Sequence, residues 1–229
     1  MTPVLDRLRR VPAVDRRLEA LAPRLAGVRT GLDAGSRAVA LTFDDGPDPE
    51  HTPALLDRLA DLGVVATFFV VGVHARAHPE LVRRTVEAGH AIGSHSWSHP
   101  EPWTVELSTL RREYRDGRRA LEDVLGRDVP LFRPPKGYVS VKGACAMRAA
   151  RLRPWLWTVD PRDWEPGVTS AALQDRLAAL DAGAVVLLHD ALVGALTRDV
   201  VDRSPTIGAL ERVVSCAHER GLRFTTLPG

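Results

Sequence analysis

From Ala38 to Thr225 the chain alternates short apolar runs with longer amphipathic segments, and this alternation constrains the fold more than any other feature. The runs are Ala38 to Phe43, Ala66 to Val70, His90 to Gly93, Leu131 to Arg133, Trp155 to Val159, Ala184 to Leu188 and Leu222 to Thr225. Between them helical periodicity covers Pro53 to Leu62, Pro79 to Ala88, Val105 to Leu125, a stretch near Lys142 to Ala150, Ser170 to Leu180 and Ile207 to Glu219. Strands that alternate with helices must lie parallel, because each helix carries the chain back across the sheet. About seven such units without a Gly-rich nucleotide loop predict an α/β fold, a closed or nearly closed (β/α) barrel rather than an open dinucleotide-binding sheet. With 229 residues, 45% of them hydrophobic, one sizeable core and one barrel domain, residues 36–229, are expected.

Residues 1–35 stand apart as an N-terminal helical extension. Leu5, Leu8, Val11, Leu18, Leu21 and Leu25 recur at roughly helical spacing among arginines, while Pro3, Pro12 and Pro23 break any single long helix. Short helices capping the barrel floor are expected; the sharper alternative is a basic amphipathic segment lying on an anionic membrane or a partner. The formal charge of +2 gives no reason to expect a nucleic-acid partner. No continuous apolar stretch reads as a signal peptide or a membrane span, so the chain as it stands reads as cytoplasmic. Cys145 and Cys216 are too few for a disulfide framework and are expected to be ordinary buried thiols.

The chemistry gathers where the runs end. In "LTFDDGPD" the acids Asp44 and Asp45 sit at the mouth of a strand that Gly46 and Pro47 terminate. "GSHSWSH" supplies His95 and His99 at i and i+4, a spacing that on one helical turn stacks two imidazoles on one face, as paired histidines do when they grip a metal. It lacks the glutamate of a HExxH site, so one of the two aspartates would complete the ligand set and the other would act as base, leaving positions open for water and substrate. "LFRPPKG" places Arg133 before a rigid Pro-Pro pair, "WTVDPRDW" places Asp160, Asp163 and Trp164 after an apolar run, and "VVLLHD" places His189 after another. Each stretch has an innocent reading alone. Five strand ends that all carry ionisable groups, on the side where barrels keep active sites, define a candidate active site.

These stretches resemble the polysaccharide deacetylase family, carbohydrate esterases related to chitooligosaccharide and peptidoglycan deacetylases. "TFDDGP", "HSWSH", "RPPKG", "DPRDW" and "LLH" occur in family order and span about residues 38 to 225. The resemblance implies a distorted (β/α) barrel and metal-dependent removal of an acetyl group from an N-acetylated sugar. It implies that Asp44 is the catalytic base, that Asp45, His95 and His99 hold one divalent metal, and that Arg133 pairs with the base. It further implies that Asp163 orients His189, the general acid, and that Trp164 and Leu188 shape an apolar pocket for the acetyl methyl. The family's groove-lining aromatic between Pro135 and the glycine is Lys136 here, which counts against a long-glycan groove; Pro135 and Lys136 remain candidate substrate contacts, with the Lys136 backbone N–H facing the oxyanion. Zinc is the expected metal, with cobalt, nickel or iron(II) compatible with the donors.

Elementary chemistry gives these roles a reason. An amide is a poor electrophile and an amine a poor leaving group, so hydrolysis needs an activated water, a sink for oxyanion charge and a proton donor to nitrogen. Pairing with Arg133 is expected to keep Asp44 ionised at some cost in basicity. The alternative within hydrolysis is a deacetylase or deformylase of a small, nucleotide-linked or lipid-linked amino sugar, with Lys136 meeting a phosphate. More remote are a non-haem iron oxygenase, which also uses two histidines and a carboxylate, and an inactive sugar-binding module. His51, His74, His78, His90 and His218 read as structural or surface residues, Asp160 as a turn residue, and Trp155 and Trp157 as core. Trp97 reads as a sugar platform or as packing under the turn.

Overall fold

The structure, a computed structural model, describes residues 16–194 and 201–229. The part of the N-terminal extension before residue 16 lies outside the described residues. Helix α1 (Arg16–Ala26) precedes β1 (Ala38–Asp44), α2 (His51–Asp61), β2 (Thr67–Val70), α3 (Gly72–Ala77), α4 (Pro79–Glu87), β3 (Ala91–Ser94) and α5 (Leu107–Leu125). There follow β4 (Leu131–Phe132), α6 (Val141–Ala149), β5 (Arg153–Pro154), α7 (Ser170–Leu177), β6 (Val185–His189), α8 (Ser204–Glu219) and β7 (Arg223–Phe224). Seven strands form one sheet in the order β5-β4-β3-β2-β1-β6, with β7 beside the first residues of β1. Every pairing is parallel, the expected (β/α) architecture.

The ring is distorted where it closes. Beyond β5 the backbone leaves the regular ladder, and Thr158 and Val159 N–H both donate to the Val185 carbonyl of β6, at 2.9 and 3.1 Å. Leu187 N–H returns a bond to Val159 at 2.9 Å. The run Trp155 to Val159, expected as a strand, is therefore a bridge between β5 and β6. Its lower end is held off the ladder by Arg29, whose N–H donates to Pro154 and whose carbonyl accepts from Leu156 at 2.8 Å. Leu32 N–H likewise bonds Gly183 at 2.8 Å, so this part of the extension is stitched into the barrel. Helix α1 lies in the outer layer against α6, where Glu19 accepts a bond from Val141 N–H at 3.1 Å.

All seven residues of β1 are buried, as expected for a strand covered on both faces. Alternation sorts them: Val39, Leu41 and Phe43 pack outward with Phe68, Val186 and Leu188 against the helices, while Ala40 faces inward with Phe69, Leu131, Trp155 and Val185. Helix α3, which the apolar pattern did not mark, inserts directly after β2. Cys145 is exposed and Cys216 half-buried, against the expectation of buried thiols; α6 turns Ala144, Ala146 and Met147 inward and Cys145 out. Among the described residues no helix is long and apolar enough to cross a membrane.

Candidate active site

The strand register decides which side chains meet. Asp44, the last residue of β1, is in register with Phe69 on β2 and His189 on β6. The next residue, Asp45, adopts φ 78°, a left-handed turn that separates two adjacent carboxylates at the strand mouth. Asp44 Oδ1 accepts a 2.8 Å bond from Arg133 Nη1. Arg133 is fully buried; its remaining donors reach Thr42 Oγ1 at 2.7 Å and the Trp155 and Leu156 carbonyls at 3.3 and 3.2 Å, and Phe69 lies 4.2 Å beneath the guanidinium. The expected pairing is present, but its electrostatic outcome differs from the expectation. Burial raises the Asp44 pKa to about 6, outweighing the lowering by Arg133, so the acid is a better base than the ion pair alone suggests.

His95 and His99 lie in the loop after β3, not on a helical turn. Positive φ at Ser96 (69°) and His99 (55°) folds the loop back so that the two rings sit 4.9 Å apart. Two helices hold this loop. The first amides of α3, Gly72 and Val73, donate to the Ser96 and Trp97 carbonyls, both at 2.9 Å. On the other side α5 approaches at Gly117, where a Cβ would stand 2.4 Å from the Ser96 carbonyl carbon. Trp97 packs over Gly72 and carries the Arg76 guanidinium 4.9 Å from its ring centroid, so of its two readings the packing one matches its surroundings.

His95 Nδ1–H donates to the Arg133 carbonyl at 2.7 Å, which leaves the Nε2 lone pair facing the site. Burial lowers the pKa of both imidazoles, His95 well below the ordinary value, so each is neutral and able to act as a ligand. Asp45 Oδ1 is buried with no hydrogen-bond partner, yet it lies 3.5 Å from His95 Nε2 and 3.5 Å from His99 Nε2. That spacing is too long for a hydrogen bond. It matches ligand atoms arranged around one tetrahedral ion with bonds of about 2.0–2.2 Å, which stand roughly 3.4 Å apart. The donor set therefore fits a divalent cation, and these three residues form the candidate metal cluster found among the described residues.

Opposite this cluster, His189 Nδ1 contacts Asp163 Oδ1 at 2.7 Å, and the other Asp163 oxygen accepts the His189 backbone N–H and the Thr206 hydroxyl, both at 2.9 Å. Arg203 donates to the Asp163 carbonyl at 3.0 Å. Burial alone would lower the His189 pKa, but the Asp163 carboxylate, and behind it Asp45 and Asp44, raise it to about 9. Neither Thr206 nor Arg203 stands near a recognisable motif; their part in orienting Asp163 emerges only when α8 packs against the barrel mouth.

A pocket of about 270 Å³ joins the two halves, lined by Asp44, Asp45, His95, His99 and His189 together with Lys136, Trp157, Trp164 and Leu187. The structure corrects the apolar wall. Leu188 points outward into the helical layer, and Leu187, on the same strand face as His189, lines the pocket. The alternation from His189 would have identified it. Pro135 is buried in the turn beneath Lys136 and does not line the pocket, whereas Trp157, expected in the core, does, packed against Gly137. Lys136 adopts φ 59°, and its Nζ lies 3.6 Å from Glu101 Oε1. Asp160 accepts a bond from Arg162 N–H within its turn. His74, expected to be incidental, contacts the Asp45 carbonyl through Nδ1 at 2.8 Å.

A parallel barrel that gathers a His-His-Asp cluster, a buried carboxylate and a carboxylate-held histidine at its C-terminal mouth has the make-up of a hydrolytic site. The chain belongs to the polysaccharide deacetylase family, whose model matches residues 31–155. It is 36% identical over 198 residues to a chitooligosaccharide deacetylase of Sinorhizobium fredii, covering 85% of this chain and 92% of that one. Among solved structures it is similar to the Bc1960 peptidoglycan N-acetylglucosamine deacetylase, with a TM-score of 0.81, 30% identity and coverage of 88% and 91%. It is also similar to a family 4 acetyl xylan esterase from Clostridium thermocellum in complex with a cobalt ion, with a TM-score of 0.71, 30% identity and coverage of 82% and 87%.

Proposed function

We propose that this chain hydrolyses the N-acetyl amide of an N-acetylglucosamine-containing glycan and releases acetate, with Asp45, His95 and His99 holding one divalent cation, zinc in the first instance. The observation that carries the proposal is the buried, unpartnered Asp45 Oδ1 equidistant from two neutral imidazoles, flanked by one acid and one cationic histidine. When bound, the cation supplies Lewis-acid polarisation of the amide carbonyl and lowers the pKa of water.

The chain's own residues do the rest. Asp44 takes the proton of the attacking water; a pKa of about 6 leaves it ionised at neutral pH yet basic enough to accept. Arg133 holds its other face, so Asp44 keeps one orientation as its charge changes. His189, cationic up to about pH 9, donates a proton to the departing nitrogen, and Asp163 fixes its ring while leaving Nε2 directed at the pocket. Leu187 and Trp164 give the acetyl methyl an apolar wall, and the Lys136 N–H is the oxyanion donor.

The similarity to enzymes named for chitooligosaccharide and peptidoglycan supports a glycan substrate. The placement of Lys136 beside Glu101 supports it over a phosphate-linked amino sugar, because that cation already faces an acid. The test is acetate release by chelator-stripped protein on a chitooligosaccharide series from monomer to hexamer, with and without added zinc or cobalt. Metal-dependent release that rises with chain length is expected. No release from any oligomer by folded, metal-loaded protein would overturn the proposal and favour a small amino sugar.

A further inference from the structure

The motif that ends β6 carries one more acid than the reaction uses. Asp190 follows His189 and is 2% exposed, yet it does not line the pocket. Its carboxylate is aimed at the turn behind the metal-ligand candidate. Oδ1 accepts the Gly46 backbone N–H at 3.1 Å, and Oδ2 accepts the Thr52 hydroxyl at 2.6 Å. That hydroxyl in turn accepts Asp48 N–H at 2.8 Å, so one buried carboxylate grips both ends of the segment Gly46 to Asp48. Contact is tight enough to dictate the residue opposite: a Cβ on Gly46 would stand 2.0 Å from Asp190 Oδ2.

The grip is reciprocal. Three residues beyond Asp190, the Val193 backbone N–H donates to Asp45 Oδ2 at 3.0 Å, and Asp190 N–H donates to the Asp44 carbonyl at 3.3 Å. Each of two loops thus offers a carboxylate that accepts the other loop's backbone amide. The consequence for Asp45 is specific. Val193 occupies Oδ2, and the Gly46 N–H bond to Asp190, with the His74 contact to the Asp45 carbonyl, holds both polar groups of the single peptide unit that follows Asp45. Only Oδ1 is left without a partner, and it is the oxygen that lies 3.5 Å from both imidazoles.

From this geometry we infer that Asp190 is a positioning residue for metal binding: through the clasp between residues 45–48 and 190–193 it holds Asp45 so that a single oxygen is presented to the cation. The inference rests on the metal site proposed above. Carboxylates and amides that orient ligands from behind typically govern 10- to 100-fold of metal affinity. Asp190 acts one step further out, through the backbone of the ligand itself.

The experiment measures zinc and cobalt affinity by competition with a chelating dye, together with the visible absorption spectrum of the cobalt-loaded protein, for wild type, Asp190→Asn, Asp190→Ala and Thr52→Val. Asp190→Asn retains the Gly46 acceptor and should bind within a few-fold of wild type. Asp190→Ala loses both bonds and should bind at least roughly 10-fold more weakly, with an altered cobalt spectrum. Thr52→Val, which removes the bond to Asp190 Oδ2 and the acceptor of Asp48 N–H but leaves Asp190 on the Gly46 amide, should fall between them and keeps the test decisive if Asp190→Ala fails to fold. Unchanged affinity and cobalt spectrum in folded Asp190→Ala, or in Thr52→Val where Asp190→Ala does not fold, would overturn the inference. Absence of metal binding in wild type would instead overturn the proposed metal site.

Discussion

Replacing Asp163 by Asn removes a charge while keeping the shape and an acceptor for the Thr206 hydroxyl and the His189 amide. In the native protein His189 is lifted from 6.5 to about 9 against the lowering effect of burial, chiefly by the Asp163 carboxylate and further by Asp45 and Asp44. That rise corresponds to roughly 3 kcal/mol of preference for the cation. Without the Asp163 charge the largest support for the cation is gone, and burial pulls the imidazole down toward its ordinary value near 6.5 against the remaining pull of Asp45 and Asp44. At pH 8 wild-type His189 is about nine-tenths protonated, and an imidazole returned to about 6.5 would be about 3% protonated, so kcat/KM on a soluble chitooligosaccharide should fall by roughly 30-fold from protonation alone. The full pH profile is the sharper assay. The basic limb, where activity falls as pH rises, should lie near pH 9 in wild type and move down toward pH 6.5 in Asp163→Asn. The stability profile carries the same sign: a raised histidine pKa stabilises the fold fully below the unfolded value near 6.5, and this contribution fades as pH rises through about 9. The Tm deficit of Asp163→Asn should therefore be largest below pH 6.5 and shrink toward pH 10. A folded Asp163→Asn protein whose basic limb stays near pH 9 would refute the assignment of that limb to His189.

Leu188→Ala should destabilise by about 2–5 kcal/mol in chemical denaturation while activity per folded molecule is retained, because it empties the helical layer; Leu187→Ala should lower activity with the smaller stability loss. Gly117→Ala places a Cβ 2.4 Å from the Ser96 carbonyl carbon and should displace the histidine loop, so reduced zinc affinity in a still helical protein is the expected result of dye competition. Adding zinc at 100 times its Kd to stripped protein should stabilise it by about 2.7 kcal/mol in thermal or denaturant unfolding, and Asp45→Asn should abolish that gain.

Much of this protein is legible in its sequence because the relevant physics is local. Strand and helix periods announce a parallel α/β barrel, and Gly46 and Pro47 stop β1 where Asp44 and Asp45 stand. Strand ends of a barrel converge by topology alone, so Arg133, Asp163 and His189 could be assigned to one mouth before any coordinate was known. Alternation counted back from His189 would have pointed to Leu187, but the family resemblance placed Leu188 at the pocket, and the structure reverses that choice. Other features depend on packing between elements distant in sequence. The i, i+4 spacing of His95 and His99 suggested a helical turn, but Gly72 of α3 and Gly117 of α5 compress it into a loop with two positive φ angles. Ion pairing suggested a weakly basic Asp44, but complete burial, which no local pattern reports, reverses the direction. Thr206 and Arg203 meet Asp163, and Asp190 meets Gly46, only in the folded chain, because a hydrogen bond across 43, 40 or 144 residues leaves no period in the sequence. The sequence by itself determined the fold and the kinds of group at the site; tertiary structure decided their protonation, their aim and which oxygen of Asp45 is left without a hydrogen-bond partner, because those properties depend on the solvent and neighbours that folding removes or brings near.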